Sequence, residues 1–273
     1  MGAMSSTHSF DAALALQAQG EGRWHGHTHP DWGNMVGPFG GITASQLLQA
    51  AMLDPRALGE PLALTVNFAS GVADGPFEIE AQPSRTNRST QHWQMTLRQG
   101  GNVCTTASAV FAVRRPTWSA PELAMPVVPP AAQVAVETRR PPVAWPQRYE
   151  LRFVEGGWPD YRKPQDLPES RTVVWMRDQP ARPLDAPSLA AIADVFYPRV
   201  FRRRQRFTPA GTVSITTYFH ADRAAFAAQG DRAVLGVAHG RRFALGFFDQ
   251  TAEVWSDDGH LLASSHQIVY FKE

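Results

Sequence analysis

The stretch Gly37-Pro38-Phe39-Gly40-Gly41-Ile42-Thr43-Ala44-Ser45-Gln46-Leu47-Leu48-Gln49-Ala50-Ala51-Met52 decides how the rest of the chain is read. Ala44, Leu47, Leu48 and Ala51 keep the i, i+3, i+4, i+7 spacing of a helix face, so a helix is expected to open at about Gly41. Ile42, Ala50, Met52 and Leu53 widen the apolar stripe until only Thr43, Ser45, Gln46 and Gln49 are polar, the pattern of a helix enclosed on most sides. Asp54-Pro55 then stops it. The glycines admit two readings. Gly40 and Gly41 either let another backbone approach closely, or turn the free N–H groups of a first helical turn into a cleft as an oxyanion site.

Beyond the helix the period changes from helical to alternating. Leu62, Leu64, Val66 and Phe68 share a face, as do Phe77, Ile79 and Ala81, and then Trp93, Met95 and Leu97. The turn Gln99-Gly100-Gly101-Asn102 leads into a further strand, Val103 to Val113, which makes a hairpin. Ahead of the helix, residues 9 to 19 carry Phe10, Ala13 and Leu14 at helical spacing. His25-Gly26-His27-Thr28-His29-Pro30-Asp31 follows. Its alternate histidines and aspartate suit a metal if extended, but no second ligand cluster accompanies them. A loop at a substrate entrance is the preferred reading.

From Arg114 to about Pro146 the prolines crowd and periodicity vanishes, the mark of a connecting segment rather than core. Tyr149, Leu151 and Phe153 alternate again, Gly156 to Ser170 reads as loop, and Thr172 to Arg177 as strand. A second helix is expected over Pro187 to Tyr197, with Leu189, Ile192, Ala193 and Phe196 as its apolar face. Asp194 is out of place there, because an unpaired carboxylate on the inner side of such a helix is costly. Strands resume at Thr212 to His220, Ala233 to His239, Arg242 to Trp255 and, after Ser256-Asp257-Asp258-Gly259, His260 to Phe271. In the last one Gln267 lies in line with Leu261, Ala263, Val269 and Phe271. The expected division is a tag or disordered start at 1–8, a first unit at 9–115, a proline-rich linker at 116–146 and a second unit at 147–273.

Composition narrows the field. A chain of 273 residues, 43% hydrophobic, can bury a large core, and 26 basic against 25 acidic residues leave a net charge of +1, which gives no field for nucleic acid or an anionic membrane. Met1-Gly2-Ala3-Met4 reads as a cloning scar rather than a signal peptide, no apolar run is long enough to span a membrane, and the single Cys104 fits a reducing cytoplasm. No Gly-x-Ser-x-Gly elbow, phosphate-binding loop or cofactor fingerprint occurs, so neither a cofactor nor a metal is expected. Cys104, on a strand with no base beside it, reads as packing.

The two halves share one order of elements. Gly101-Asn102-Val103-Cys104-Thr105-Thr106-Ala107-Ser108-Ala109-Val110-Phe111 lays over Gly259-His260-Leu261-Leu262-Ala263-Ser264-Ser265-His266-Gln267-Ile268-Val269 without gaps, which points to two copies of one unit and sets Gln267 against Ala109. From Gly37-Pro38-Phe39-Gly40-Gly41 to Ala263-Ser264-Ser265-His266-Gln267 the chain resembles the acyl-CoA thioesterase II family and its double hotdog relatives. The resemblance implies an α+β fold, a double hotdog of two tandem repeats, each a long central helix wrapped by an antiparallel β-sheet. It also implies a catalytic aspartate on the second helix, a threonine at the start of the next strand and a glutamine on the last strand. Asp194, Thr212 and Gln267 fall at those places.

In that scheme Asp194 is the base or water-orienting carboxylate for thioester hydrolysis without a covalent intermediate, and Thr212 and Gln267 fix the water. Gly40 and Gly41 lie on the substrate side, Gly41 offering its N–H to the carbonyl. Arg203 and Arg204, within the run Arg199, Arg202, Arg203, Arg204 and Arg206, are candidates for the phosphates of coenzyme A. The expected partner is therefore an acyl-CoA or other acyl thioester. The rivals are an acyl-binding protein without turnover, in lipid or natural-product metabolism, and a hotdog dehydratase or hydratase, whose histidine-bearing motif is missing. Monomer, dimer and tetramer are all compatible with the sequence, a homo-oligomer among them.

Overall fold

The computed structural model of the chain describes residues 7–273. The first half holds α1 (Ser9–Ala13), β1 (Gln17–Ala18), β2 (Arg23–His27), α2 (Gly40–Leu53), β3 (Glu60–Phe68), β4 (Pro76–Thr86), β5 (Thr90–Gln99) and β6 (Asn102–Ala112). The second half runs through β7 (Tyr149–Glu155), β8 (Thr172–Asp178), α3 (Ala186–Ile192), α4 (Arg199–Arg204), β9 (Ala210–Phe219), α5 (Arg223–Gln229), β10 (Val234–His239), β11 (Phe243–Ala244), β12 (Phe247–Trp255) and β13 (Leu261–Phe271).

Among the described residues all thirteen strands join one antiparallel sheet, ordered β1-β2-β4-β5-β6-β3-β9-β13-β12-β10-β8-β7 with β11 beside β12. The first half contributes β2-β4-β5-β6-β3 and the second β8-β10-β12-β13-β9, the same succession of strands. The halves meet where β3 pairs with β9. Thr65 faces Thr216 at that seam, with their hydroxyls 2.9 Å apart. A local two-fold through this pair makes Leu64 equivalent to Ile215 and, counted along the strands, Pro61 equivalent to Thr212. Ala109 pairs with Leu64, and Gln267 with Ile215. The registers therefore place Gln267 over Ala109, as the sequence overlay does.

Helix α2 is buried over most of its circumference, as its nearly all-apolar stripe requires. It packs on α3 closely enough for the Ser45 hydroxyl to reach the Pro187 carbonyl at 2.6 Å. A Cβ at Gly41 would lie 2.8 Å from the Ala191 carbonyl oxygen, so a glycine is needed where the two helices touch.

Several sequence expectations change. The second helix stops at Ile192 rather than Tyr197: Asp194 and Val195 donate to Ala191 and Ile192, a tightened turn, and α4 starts only after Pro198. The histidine stretch is not a loop up to His27, since β2 pairs with β4 over Arg23 to His27. The proline-rich segment is more than a connector. Met125, Val128, Ala131 and Val134 pack on Val173, Trp175, Leu235, Val237 and Trp255, the face of β8, β10 and β12 turned away from the helices. Trp175 Nε1 donates to Pro129 O at 2.9 Å and Arg152 Nη1 to Val134 O at 2.7 Å. Proline holds such a strap extended without a periodic pattern, so its apolar contacts are invisible to a periodicity reading.

Of the segment read as a tag, residues 1–6 lie outside the described residues. His8 caps α1, its ring accepting from the Phe10 N–H.

Candidate active site

Asp194 hangs in the turn after α3 and faces the first turn of α2. Its Oδ1 accepts from Gln267 Nε2 at 2.7 Å, and the Gly41 N–H donates to the same carboxylate. A Cβ at Gly40 would stand 2.8 Å from Asp194 Oδ2. Phe39, which precedes α2, makes no side-chain cap, and the carboxylate of the other half takes that place. The glycines allow the close approach of α2 and α3, and the Gly41 N–H, expected to face a substrate carbonyl, is turned to the Asp194 carboxylate instead.

Gln267 is 4% exposed and presented by β13. Its Oε1 accepts from the Thr212 hydroxyl of β9 at 3.3 Å. The amide is thereby oriented with its nitrogen toward Asp194, and Thr212 reaches the carboxylate through Gln267. Two residues along β13, the Ser265 hydroxyl donates to the Ala193 carbonyl at 3.3 Å and ties the turn that carries Asp194. The first half cannot build this network, because it has Pro61 and Ala109 where the second has Thr212 and Gln267.

Asp194 keeps some access to solvent, yet its carboxyl is largely desolvated. Burial pushes its pKa up to about 7 from the ordinary 3.8, against the pull of the Gln267 and Gly41 donors. A group that must be ionised to act will therefore gain activity as pH rises through about 7, and kcat/KM is expected to fall with unit slope below that point. A pH–rate profile measures it, and a flat profile from pH 5 to 8 would contradict it. The stability effect has the opposite sign. The folded state binds the proton more tightly than the unfolded one, so Asp194 costs stability as pH rises from about 3.8 to about 7. Asp178, pushed up to about 6 by burial, acts in the same direction.

The remaining predicted residues fall elsewhere. Arg203 and Arg204 lie on α4 beside a pocket of about 250 Å³ with Asp166, Phe243 and Phe271. Arg204 is paired with Asp166 at 2.7 Å and with Glu273. Arg199 of the same run is fully buried, donating to Gln250, Thr172 and the Ser170 and Tyr197 carbonyls, and serves the fold rather than a ligand. The histidines do not converge: His25 faces Glu78, His27 bonds Thr28 O, and His29 accepts from the Asp31 N–H. Among the described residues no cluster of three metal-ligating side chains occurs. Cys104 is buried.

Sequence reasoning missed Ser265, although it shares the inward face of β13 with Gln267. It also missed Tyr149, which is 1% exposed with an unpartnered hydroxyl that feels the charges of Asp178 and Asp194.

The large antiparallel sheet with a helix packed against it in each half makes this a hotdog-fold protein, and solved structures agree. A conserved hotdog-fold protein of unknown function from Alicyclobacillus acidocaldarius is 49% identical, with 98% of this chain and 99% of that one covered and a TM-score of 0.93. The tesB protein of Mycobacterium avium subspecies paratuberculosis (19% identity, 97% and 98% covered, TM-score 0.78) and an acyl-CoA thioesterase II from Mycobacterium marinum (19%, 96% and 98%, 0.73) share the fold. The family models for the acyl-CoA thioesterase N-terminal and C-terminal domains match residues 28–112 and 124–271. The chain belongs to the acyl-CoA thioesterase family. No curated protein sequence matches it.

Proposed function

We propose that this protein is a double hotdog acyl-CoA thioesterase that hydrolyses an acyl thioester to free acid and coenzyme A with one active site, at Asp194. The observation that carries the reading is a desolvated carboxylate held between Gln267 and the N-terminus of α2, with its pKa near neutrality. Ionised Asp194 takes a proton from water as the water oxygen bonds to the thioester carbonyl carbon. Charge develops on the carbonyl oxygen, for which the second N–H of the Gln267 amide is the donor. Collapse breaks the C–S bond, and the thiolate takes back the proton from Asp194. Thr212 keeps the amide turned the right way, and Ser265 keeps the turn in place.

Arg203 is the phosphate contact in this reading, because Arg204 already has two carboxylate partners. Arg203→Ala is expected to raise KM for acyl-CoA severalfold with kcat little changed; an unchanged KM would remove the assignment. No helix among the described residues is long and apolar enough to cross a membrane.

Thiol release from short, medium and aromatic acyl-CoA esters tests the whole reading. Release above the spontaneous rate for at least one ester is the expected result, and the spontaneous rate for all of them would favour a binding protein.

A further inference from the structure

Asp194 is reached from one side. Around it Gly41, Ala193, Val195 and Gln267 are buried, whereas Asp194 itself, Gly40, Thr212 and Phe68 are half-buried. The approach to the carboxylate therefore runs past Gly40, Thr212 and Phe68.

Two separate observations put Phe68 there. A Cβ at Gly40 would stand 2.8 Å from Asp194 Oδ2 and 3.3 Å from Phe68 Cζ, so ring and carboxylate flank a single point. The strand register gives the same place. Asn67, Ser214 and Ile268 stand side by side in β3, β9 and β13, and in the next row Phe68 ends β3 on the side of the Thr212–Val269 pair. Leu64 and Val66 are buried on the inner face of β3, and Phe68, two residues further, shares that face.

Beyond Phe68 the rim stays apolar. A Cβ at Gly71 would lie 3.4 Å from Val36 Cγ1 and one at Gly37 2.3 Å from the Val72 carbonyl oxygen, so the segment after β3 rests against the tight turn at 33–38. The Asn34 N–H closes that turn on the Gly37 carbonyl at 2.8 Å. The turn leads into α2 and carries Met35 and Val36 at its tip, 49% and 80% exposed.

We propose that the acyl chain of the thioester lies on the Phe68 ring and runs outward over Val36, which makes Phe68 the residue that selects medium acyl groups over acetyl. The inference rests on the thioesterase reading of Asp194. With the carbonyl carbon beside that carboxylate, an acetyl methyl ends before it can cover the ring. A longer chain exchanges water for the ring face and then for the valine, and each methylene so buried favours binding.

The test compares kcat/KM for octanoyl-CoA and acetyl-CoA in the wild type, Phe68→Ala and Val36→Ser, with thermal melting to confirm folding. Wild type is expected to favour octanoyl-CoA by at least about tenfold, the discrimination that one methylene contact gives at an apolar site. Phe68→Ala should cut that ratio by a similar factor, and Val36→Ser severalfold. Displacing or hydrating Asp194 alone would slow both esters alike and leave the ratio where it was, so the ratio reads the acyl contact. Should Phe68→Ala fail to fold, Val36→Ser carries the test alone, since a change at so exposed a side chain leaves folding intact. A wild-type preference for acetyl-CoA, or a ratio unmoved in folded Phe68→Ala, would overturn the inference and leave the thioesterase reading standing; a ratio unmoved in Val36→Ser would overturn the path over the rim. Absence of turnover with every ester would overturn both readings.

Discussion

Asp194→Asn is expected to lower thioester kcat/KM by roughly 10²- to 10⁴-fold while leaving the fold intact. Asparagine has the same shape but cannot accept the proton from water. With its oxygen kept toward Gln267 Nε2, its amide nitrogen replaces Oδ2, the oxygen beside Gly40, and the negative charge at the start of α2 is lost. Against that loss stands the removal of a carboxyl that resists ionisation in its buried site. The variant should therefore gain stability relative to wild type as pH rises from about 4 to about 7 and hold that gain above it. A variant that folds and hydrolyses at close to the wild-type rate would remove Asp194 from the chemistry.

Gly40→Ala is expected to cost about 10²-fold in kcat/KM, because a small displacement of a reacting group has effects of that order. The added methyl would sit 2.8 Å from Asp194 Oδ2 and 3.3 Å from the Phe68 ring, so the carboxylate must move. Gly40 does not have a positive φ, and alanine at a helix start is otherwise well tolerated, so stability should hold. Gly41→Ala serves as the contrast. Its methyl would meet the Ala191 carbonyl at 2.8 Å, a backbone group that cannot swing aside, and the expected outcome is a lowered melting temperature together with lost activity. Wild-type kinetics in Gly40→Ala would mean that the position of Asp194 against α2 does not matter.

Much of this was legible in the sequence because packing imposes periods. The stripe of α2, the alternation of β3 to β6 and the gapless overlay of residues 101–111 on 259–269 all follow from one face of each element being buried. Asp194 and Gln267 stood out for the same reason, as polar residues on faces that packing would make apolar. What escaped were features without a period. The proline-rich strap covers Trp175 and Trp255 through single contacts along an extended backbone. The stop of α3 at Ile192 has no glycine to announce it, and Pro198 marks only the start of α4. Arg199 reads as one more surface cation in a basic run, yet it is the buried member, since its hydrogen-bond acceptors come from residues far away in the chain. The role of Gly41 was half visible: the glycine could be named, but only the fold brings Asp194 to its N–H.

In the proposed mechanism Asp194 activates water and never bonds to the acyl group. Single-turnover hydrolysis with enzyme in excess over acyl-CoA, run in water labelled with oxygen-18, tests it directly. The acid formed in the first turnover is expected to carry the label, and the protein mass to show no acyl adduct. Unlabelled acid from that turnover, its oxygen drawn from the Asp194 carboxylate, or a trapped acyl-enzyme would contradict it.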